Sequence, residues 1–183
     1  MKIKFAIFSI LFLISCNNNS IENSNVLTSS NQKIFFEVHH INAAWGYQEH
    51  GFLIDSLGYV RTFDLSTSHE HWNYPDSQSI LKNSEMIANL MLCNSIVKQL
   101  PKDSLAFFIS KIIAASIGTI SKPTMAMADY GSTEYSAYVF NKKTDKYNKI
   151  TLKIYGDWMV DNNSAEANEI YQWLSRINYR NIY

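Results

Sequence analysis

The best-specified local structure in this sequence is a β-hairpin around Asp55-Ser56-Leu57-Gly58. Aspartate at the first position of such a tetrapeptide and glycine at the fourth are typical of a type I turn that closes into a bulge, where the fourth residue needs a positive φ. The segments on either side, residues 51–55 and 59–64, predict the two strands that the turn joins. The fold is therefore expected to contain an antiparallel sheet.

Three further segments carry strand patterns. Residues 34–41 are rich in aromatic and β-branched side chains, and apolar and polar residues alternate along them. Residues 135–141 and 149–155 flank a polar, basic turn, and the second of them alternates aliphatic residues with Lys149, Thr151 and Lys153. Such alternation is typical of a sheet with one face in water. We therefore expect about five antiparallel strands, covered on one side.

Helical periodicity occurs in two neighbouring segments in the middle of the chain. After a loop over residues 66–75, apolar residues recur at spacings of four and three, which predicts a helix with one buried stripe. The members of this stripe are Met86, Leu90, Cys93, Val97 and Leu100. A second helix is predicted after Pro101, with a broad apolar stripe from Leu105 to Ile120. Gly118 and Pro123 mark its end.

A last helix is predicted near the C-terminus. Asn163 or Ser164 can cap it, since Glu166 follows Asn163 by three residues as in a capping box. Its buried stripe comprises Ala167, Ile170, Leu174 and Ile177. The order of these elements predicts an α+β domain, in which three helices pack on one face of an antiparallel sheet of about five strands.

The N-terminus carries Lys2 and Lys4, an apolar run from Phe5 to Leu13, and then Ile14-Ser15-Cys16. A basic segment, an apolar segment too short to span a membrane, and a small residue directly before a cysteine together resemble the signal of bacterial lipoproteins. The resemblance covers residues 1–16. It implies that residues 1–15 are a signal peptide, that Cys16 is lipidated and acylated, and that the protein is anchored in the bacterial cell envelope, with the outer membrane preferred to the inner.

Residues 16–31 then comprise the lipidated cysteine and a polar segment without apolar periodicity, which indicates a flexible tether. Residues 32–183 are of a length for a single domain. Without its signal peptide the chain has 14 basic and 16 acidic residues, so its charge implies no nucleic-acid partner. Cys93 is then the one cysteine left besides Cys16, so no intramolecular disulfide is expected, and its place on an apolar stripe predicts a buried, unreactive thiol.

The five histidines all fall between residues 39 and 71. An extended backbone over His69-Glu70-His71 would place two imidazoles on the same face, and His50 could supply a third metal ligand. The spacing is not that of a His-Glu-x-x-His helix. The competing interpretation is that His69 and His71 lie in a solvated loop, while His39 and His40 occupy opposite faces of a strand. No cofactor is expected, and zinc is the alternative.

Aromatic rings lie next to polar side chains in two segments, and these rings are the candidate ligand-binding residues: Trp45, Tyr47, Trp72 and Tyr74. A ring offers an apolar platform while neighbouring polar groups hydrogen-bond, as the binding of a sugar or peptide requires. The competing interpretation is that the rings close the edge of the core.

No catalytic residue can be assigned, because neither a nucleophile motif nor a pair of carboxylates at a suitable spacing occurs. The leading hypothesis is a non-enzymatic, membrane-anchored module that binds an envelope protein, peptide or glycan through the hairpin side of its sheet. The alternative is an envelope hydrolase, metal-dependent through His50, His69 and His71. The sequence indicates no oligomeric state.

Overall fold

The computed structural model describes residues 31–177, so the predicted signal peptide, Cys16 and nearly all of the tether lie outside the described residues. The fold is α+β. Its elements, in chain order, are β1 (Ile34–Asn42), β2 (Gln48–Asp55), β3 (Tyr59–Asp64), β4 (Ile80–Lys82), α1 (Asn83–Leu92), β5 (Ser95–Gln99), α2 (Lys102–Ser110), α3 (Ile112–Ser116), β6 (Thr124–Met125), β7 (Ser132–Asn141), β8 (Lys146–Gly156), β9 (Trp158–Asp161) and α4 (Ala165–Ser175).

Within residues 31–177 the strands form one antiparallel sheet of nine strands, ordered β5-β3-β2-β1-β7-β8-β9-β6, with β4 paired to the first part of β8. The predicted hairpin is present, and Gly58 has a φ of 81° as its turn requires. The expectation of about five strands was wrong. The strands it missed, β4, β5, β6 and β9, span only two to five residues, too few for alternation to be recognised.

The segment 95–99 was predicted to be helical and is instead the edge strand β5, paired with β3. The first helix ends at Leu92, and Cys93 leaves the helical conformation with φ −80° and ψ 89°. Val97 therefore lies on a strand, although its spacing from Cys93 fits a helix. Pairing with β3 decides the conformation: Ile96 pairs with Arg61 and Lys98 with Val60, and Val97 lies at the irregularity between these two pairs. The β-branched side chains of Ile96 and Val97 also favour a strand.

The two faces of the sheet carry two separate cores. On the face that we call the helical face, side chains such as Phe36 and Val38 of β1 pack against α2, α3 and α4. On the opposite face, which we call the α1 face, Leu53 and Phe63 pack with Met86 of α1 and with Trp72 from the loop that follows β3. The sheet is therefore covered on both faces.

This arrangement corrects the prediction that three helices share one face, because α1 packs on the other. It also corrects the prediction of a wet face along β8. Lys149 lies on the α1 face, where its side chain is only 9% exposed and its Nζ is 2.8 Å from Glu134 Oε2. The predicted second helix corresponds to α2 and α3, which Lys111 separates.

The start of β1 is held by the side chain of Gln32. Its Nε2 donates to the carbonyl oxygens of Ile34 and Tyr138, both at 2.8 Å, and its Oε1 accepts from the Phe140 backbone N–H at 3.1 Å. The chain therefore enters the domain at the end of β1 that lies beside the last residues of β7. Among residues 31–177, no helix is long and apolar enough to cross a membrane.

Candidate functional site

The four rings singled out in the sequence have different environments. Tyr47 and Tyr74 are 53% and 51% exposed, and the hydroxyl groups of both donate to the carboxylate of Glu49. Trp72 is only 6% exposed and stacks on Phe63 at a centroid distance of 4.0 Å, so it belongs to the core. Trp45 is 80% exposed at the tip of the β1–β2 hairpin. The structure thus brings Tyr47 and Tyr74 together.

The histidines of the predicted metal site are dispersed. His69 and His71 are exposed in the loop after β3, whereas His50 lies on β2 with its ring 4.8 Å from that of His40. In the part of the chain that the structure describes, no three histidine, cysteine, aspartate or glutamate side chains are placed to hold a metal ion. His39 and His40 occupy opposite faces of β1, as one interpretation of the sequence predicted.

A buried array of acidic and basic groups lies on the α1 face and was not foreseen. The imidazole of His39 lies between two carboxylates, with Nδ1 2.9 Å from Glu37 Oε1 and Nε2 3.0 Å from Glu49 Oε1. Strand periodicity places Glu37 and His39 on the same face, and the pairing of β1 with β2 adds Glu49 from the neighbouring strand. All three side chains are almost completely buried.

A glycine beside the imidazole allows β1, β2 and the Phe63 ring to approach one another closely. Gly51 is paired with His39 across the two strands, and a Cβ there would lie only 2.0 Å from the Val38 carbonyl oxygen. The rings of Phe63 and Trp72 pack edge-on against His39 at centroid distances of 5.1 Å and 5.2 Å. The imidazole is therefore enclosed by rings and held in a single orientation by its two carboxylate partners.

Tyrosine hydroxyls complete the array. Tyr138 donates to the second oxygen of Glu37, and Tyr47 and Tyr74 donate to Glu49. Every buried side-chain nitrogen and oxygen atom among residues 31–177 has a hydrogen-bond partner. Each carboxylate oxygen and both ring nitrogens therefore have at least one partner inside the protein.

Electrostatics fix the protonation states of the array. Burial alone would raise the pKa of Glu37, but the charge of Lys149 and the hydrogen bond from His39 outweigh it and lower that pKa to about 2. Burial likewise opposes ionisation of Glu49, and the hydrogen bonds from His39, Tyr47 and Tyr74 lower its pKa to about 2. The two carboxylates also overcome the effect of burial on His39 and raise its pKa above 6.5. These shifts, and the carboxylate at each ring nitrogen, favour an imidazolium between two carboxylates.

The chemical capacity of this array is small. A general base needs a pKa near the working pH and an open approach to its substrate. Glu37 and Glu49 have pKa values of about 2, and both ring nitrogens of His39 are engaged. The array therefore links β1, β2 and the segment around Tyr74 through hydrogen bonds and ion pairs. It also holds Tyr47 and Tyr74 in place at the surface.

A cleft of about 580 Å³ opens on the helical face. Its floor is formed by the ends of β1, β2 and β7, and the C-terminal end of α4 forms one wall. His40 lies at the floor, with Nδ1 2.8 Å from Thr133 Oγ1. At the rim, the rings of Tyr130 and Tyr155 meet edge to face at a centroid distance of 5.9 Å. Further polar side chains of the lining are Asn42, Gln48, His50 and Arg176.

The sequence pattern indicated His50 as a metal ligand, whereas the structure places it in the lining of this cleft. The other lining residues were not predicted to form a site. The available signal was the alternation along residues 36–42, which places His40 and Asn42 on one face of a strand and His39 on the other. The partners Thr133 and Tyr155 could not be found this way, because the register of β7 against β1 and β8 brings them in from distant parts of the chain.

Comparison of the chain with protein-family models, with curated proteins and with solved structures gives no match.

Proposed function

We propose that this protein is a lipid-anchored, non-enzymatic binding module of the bacterial cell envelope, whose ligand occupies the cleft on the helical face. The observation that carries the proposal is the cleft itself, a concavity of about 580 Å³ lined mainly by hydrogen-bonding side chains and tyrosine rings. Such a volume falls within the range of small-molecule sites.

The surroundings of the cleft support a binding role. The cleft includes Gln48 at the start of β2, and Trp45 lies three residues before it on the same hairpin. The Trp45 ring is 80% exposed, whereas the Tyr47 hydroxyl is directed to Glu49 on the α1 face. Exposed rings beside polar side chains are enriched at recognition surfaces, because they bury a large area with little loss of conformational freedom.

The state of the buried array supports binding over catalysis. Its members carry the most strongly perturbed carboxylate pKa values in the described part of the chain, and perturbed groups are the usual candidates for acid–base catalysis. Here each of these groups is occupied by a partner inside the protein. The alternative hydrolase gains no support from His50, His69 and His71, which do not meet among the described residues.

Anchoring completes the proposal and rests on the resemblance of residues 1–16 to a lipoprotein signal. A thioether-linked diacylglycerol and an N-acyl chain would hold Cys16 at the bilayer, since each buried methylene contributes about 0.8 kcal/mol. The polar tether would then span about 20 Å in root-mean-square length. The domain would remain within reach of ligands at the membrane surface.

The test is photo-crosslinking in the native membrane. A photoreactive amino acid replaces Tyr130 at the cleft rim or, as the control, Trp158, which is exposed on β9 and outside the lining. We expect one dominant adduct from position 130 that is absent from position 158. The adduct should disappear when Gln48→Lys blocks the cleft and persist with Gln172→Lys on the exposed side of α4. Equal labelling at positions 130 and 158, or no adduct at either, would contradict the proposed function.

A further inference from the structure

The lining of the cleft suggests which chemical class of ligand it takes. We infer that the cleft binds an uncharged, hydroxyl-rich saccharide. This inference rests on the proposed function and deepens it, since the same cleft is involved.

The polar groups of the lining are mostly uncharged. Neutral donors and acceptors predominate: the amides of Asn42 and Gln48 and the hydroxyls of Thr133, Tyr135 and Ser175. Asn42, Thr133 and Ser175 also hydrogen-bond within the protein, which orients them and uses only part of their donor and acceptor capacity. Amides and hydroxyls both donate and accept, so they can match a ligand whose own hydroxyls do the same. Saccharides present this pattern on every ring.

The acidic and basic side chains of the lining balance each other. Asp129 and Arg176 are the only aspartate, glutamate, lysine or arginine side chains of the lining within residues 31–177, so their formal charges cancel. They come from different elements, the loop before β7 and the C-terminal cap of α4. A site for an anionic or cationic ligand would carry an excess of the opposite charge. The balance in this cleft favours a ligand without net charge.

Two tyrosine rings form the rim of the cleft. Tyr130 and Tyr155 are 49% and 37% exposed, and their edge-to-face contact fixes one ring against the other. A partly exposed, oriented ring can cover the apolar C–H face of a sugar while its hydroxyl remains available for hydrogen bonding. The rim therefore supplies the second kind of contact that a saccharide needs.

The lining distinguishes a saccharide from a peptide. A peptide bound with sequence preference needs apolar pockets for its side chains, in addition to backbone hydrogen bonds. Ile177 is the only aliphatic residue of the lining among the residues that the structure describes. The cleft thus offers hydrogen bonds and ring surfaces rather than side-chain pockets.

The experiment is a glycan microarray that carries neutral and uronic-acid oligosaccharides, probed with the intact, detergent-solubilised protein. The best neutral oligosaccharide is then titrated calorimetrically, with trialanine as the peptide comparator. We expect saturable binding of a neutral oligosaccharide. Its affinity should change less than about twofold between low and high salt, because no net charge is neutralised.

Matched variants locate the binding. Tyr155→Ala should weaken it by roughly five- to tenfold through the loss of one ring platform, whereas Trp158→Ala, an exposed ring outside the lining, should leave it unchanged. If Tyr155→Ala fails to fold, Gln48→Lys at an exposed position of the lining serves instead and should abolish binding.

The outcomes separate this inference from the proposed function. Salt-sensitive binding of uronic-acid oligosaccharides alone, binding of trialanine alone, or no binding to any glycan would overturn the saccharide assignment. So would neutral-glycan binding that survives both cleft variants. Photo-crosslinking at position 130 tests the proposed function separately, because a cleft-dependent adduct could still form there after any of these results.

Discussion

The imidazole Nε2 of His39 lies 3.0 Å from the Glu49 carboxylate and joins β1 to β2 by a charged side-chain contact inside the protein. The other ring nitrogen contacts Glu37 at 2.9 Å, so one cation separates two buried anions. Removing either partner of a buried ion pair leaves an uncompensated charge, which costs more than the pair contributes. His39 should therefore be the most sensitive position of the array.

His39→Gln is expected to lower the free energy of unfolding by about 3–5 kcal/mol, because Glu37 and Glu49 would lose the positive charge between them. Equilibrium urea unfolding at neutral pH measures the change. His69→Gln in the exposed loop is the matched control and should stay within about 0.5 kcal/mol of the wild type. A loss below about 1 kcal/mol for His39→Gln would show that the array contributes little to stability.

Stability should depend on pH in two separate ranges. The pKa of His39 is raised above 6.5, so its contribution is complete below pH 6.5 and is lost as the pH rises through the folded-state value. The pKa values of Glu37 and Glu49 are lowered from 4.5 to about 2, so their contributions are complete above pH 4.5 and are lost as the pH falls towards 2.

Thermal unfolding between pH 2 and pH 10 should thus give a maximum between about pH 5 and pH 6.5. In His39→Gln the decline on the alkaline side should become shallower, because the group that titrates there is absent. An alkaline decline that is unchanged in this variant would assign the titration to another residue.

Gly51→Ala should destabilise the protein by about 3 kcal/mol or more, because the added Cβ would meet the Val38 carbonyl oxygen at 2.0 Å and the Phe63 ring at 3.0 Å. Gly46→Ala is the control. Gly46 has no atom within 4 Å of such a Cβ and has a φ of 105°, so only backbone strain of about 1–3 kcal/mol applies. Denaturant unfolding should show a larger loss of stability for Gly51→Ala than for Gly46→Ala. A smaller loss for Gly51→Ala would mean that β1 and β2 can move apart.

Cys93 should react slowly with thiol reagents in the native protein. Burial raises the pKa of its thiol well above the usual value, and its Sγ donates to the Asn89 carbonyl at 3.5 Å. Labelling followed by mass spectrometry should be faster by orders of magnitude in urea than in buffer. Rapid native labelling at this position would show that the end of α1 opens readily.

Cys16→Ala should abolish incorporation of a labelled fatty acid and cause an uncut precursor to accumulate. The reason is that, in the pathway implied by the resemblance to a lipoprotein signal, the thioether forms on the cysteine sulfur before cleavage. Metabolic labelling with an alkyne fatty acid and immunoblotting measure both effects. Cys93→Ala is the control and should leave the labelling intact, while normal cleavage of Cys16→Ala would refute the lipoprotein assignment.

The sequence predicts those parts of the fold that depend on local pattern. The hairpin around Asp55 to Gly58, the strands that contain Phe36 and Ile150, and the helix capped by Ser164 were all recognisable from turn chemistry, alternation or capping. The edge strand β5 was not, because the spacing of Cys93, Val97 and Leu100 fits a helix and only pairing with β3 overrides it.

The buried array and the cleft depend on contacts between distant residues. Glu37 and His39 are neighbours on one strand face, but Tyr138 reaches Glu37 across 101 positions of sequence. Lys149 was predicted to face water because its strand alternates, yet α1 and the loop before it cover that face. Alternation indicates which residues share a face, and only the tertiary structure determines what covers that face.

The hydrogen bonds of the Gln32 side chain fix the point at which the chain enters the domain. They hold the entry of the chain at the beginning of β1, whereas the cleft lies at the far end of the same strand, around His40 and Asn42. At about 3.3 Å per residue, β1 separates the two points by about 25 Å. For a chain tethered at Cys16, the attachment point and the mouth of the cleft would lie at opposite ends of β1, so the tether would leave the path of the ligand open.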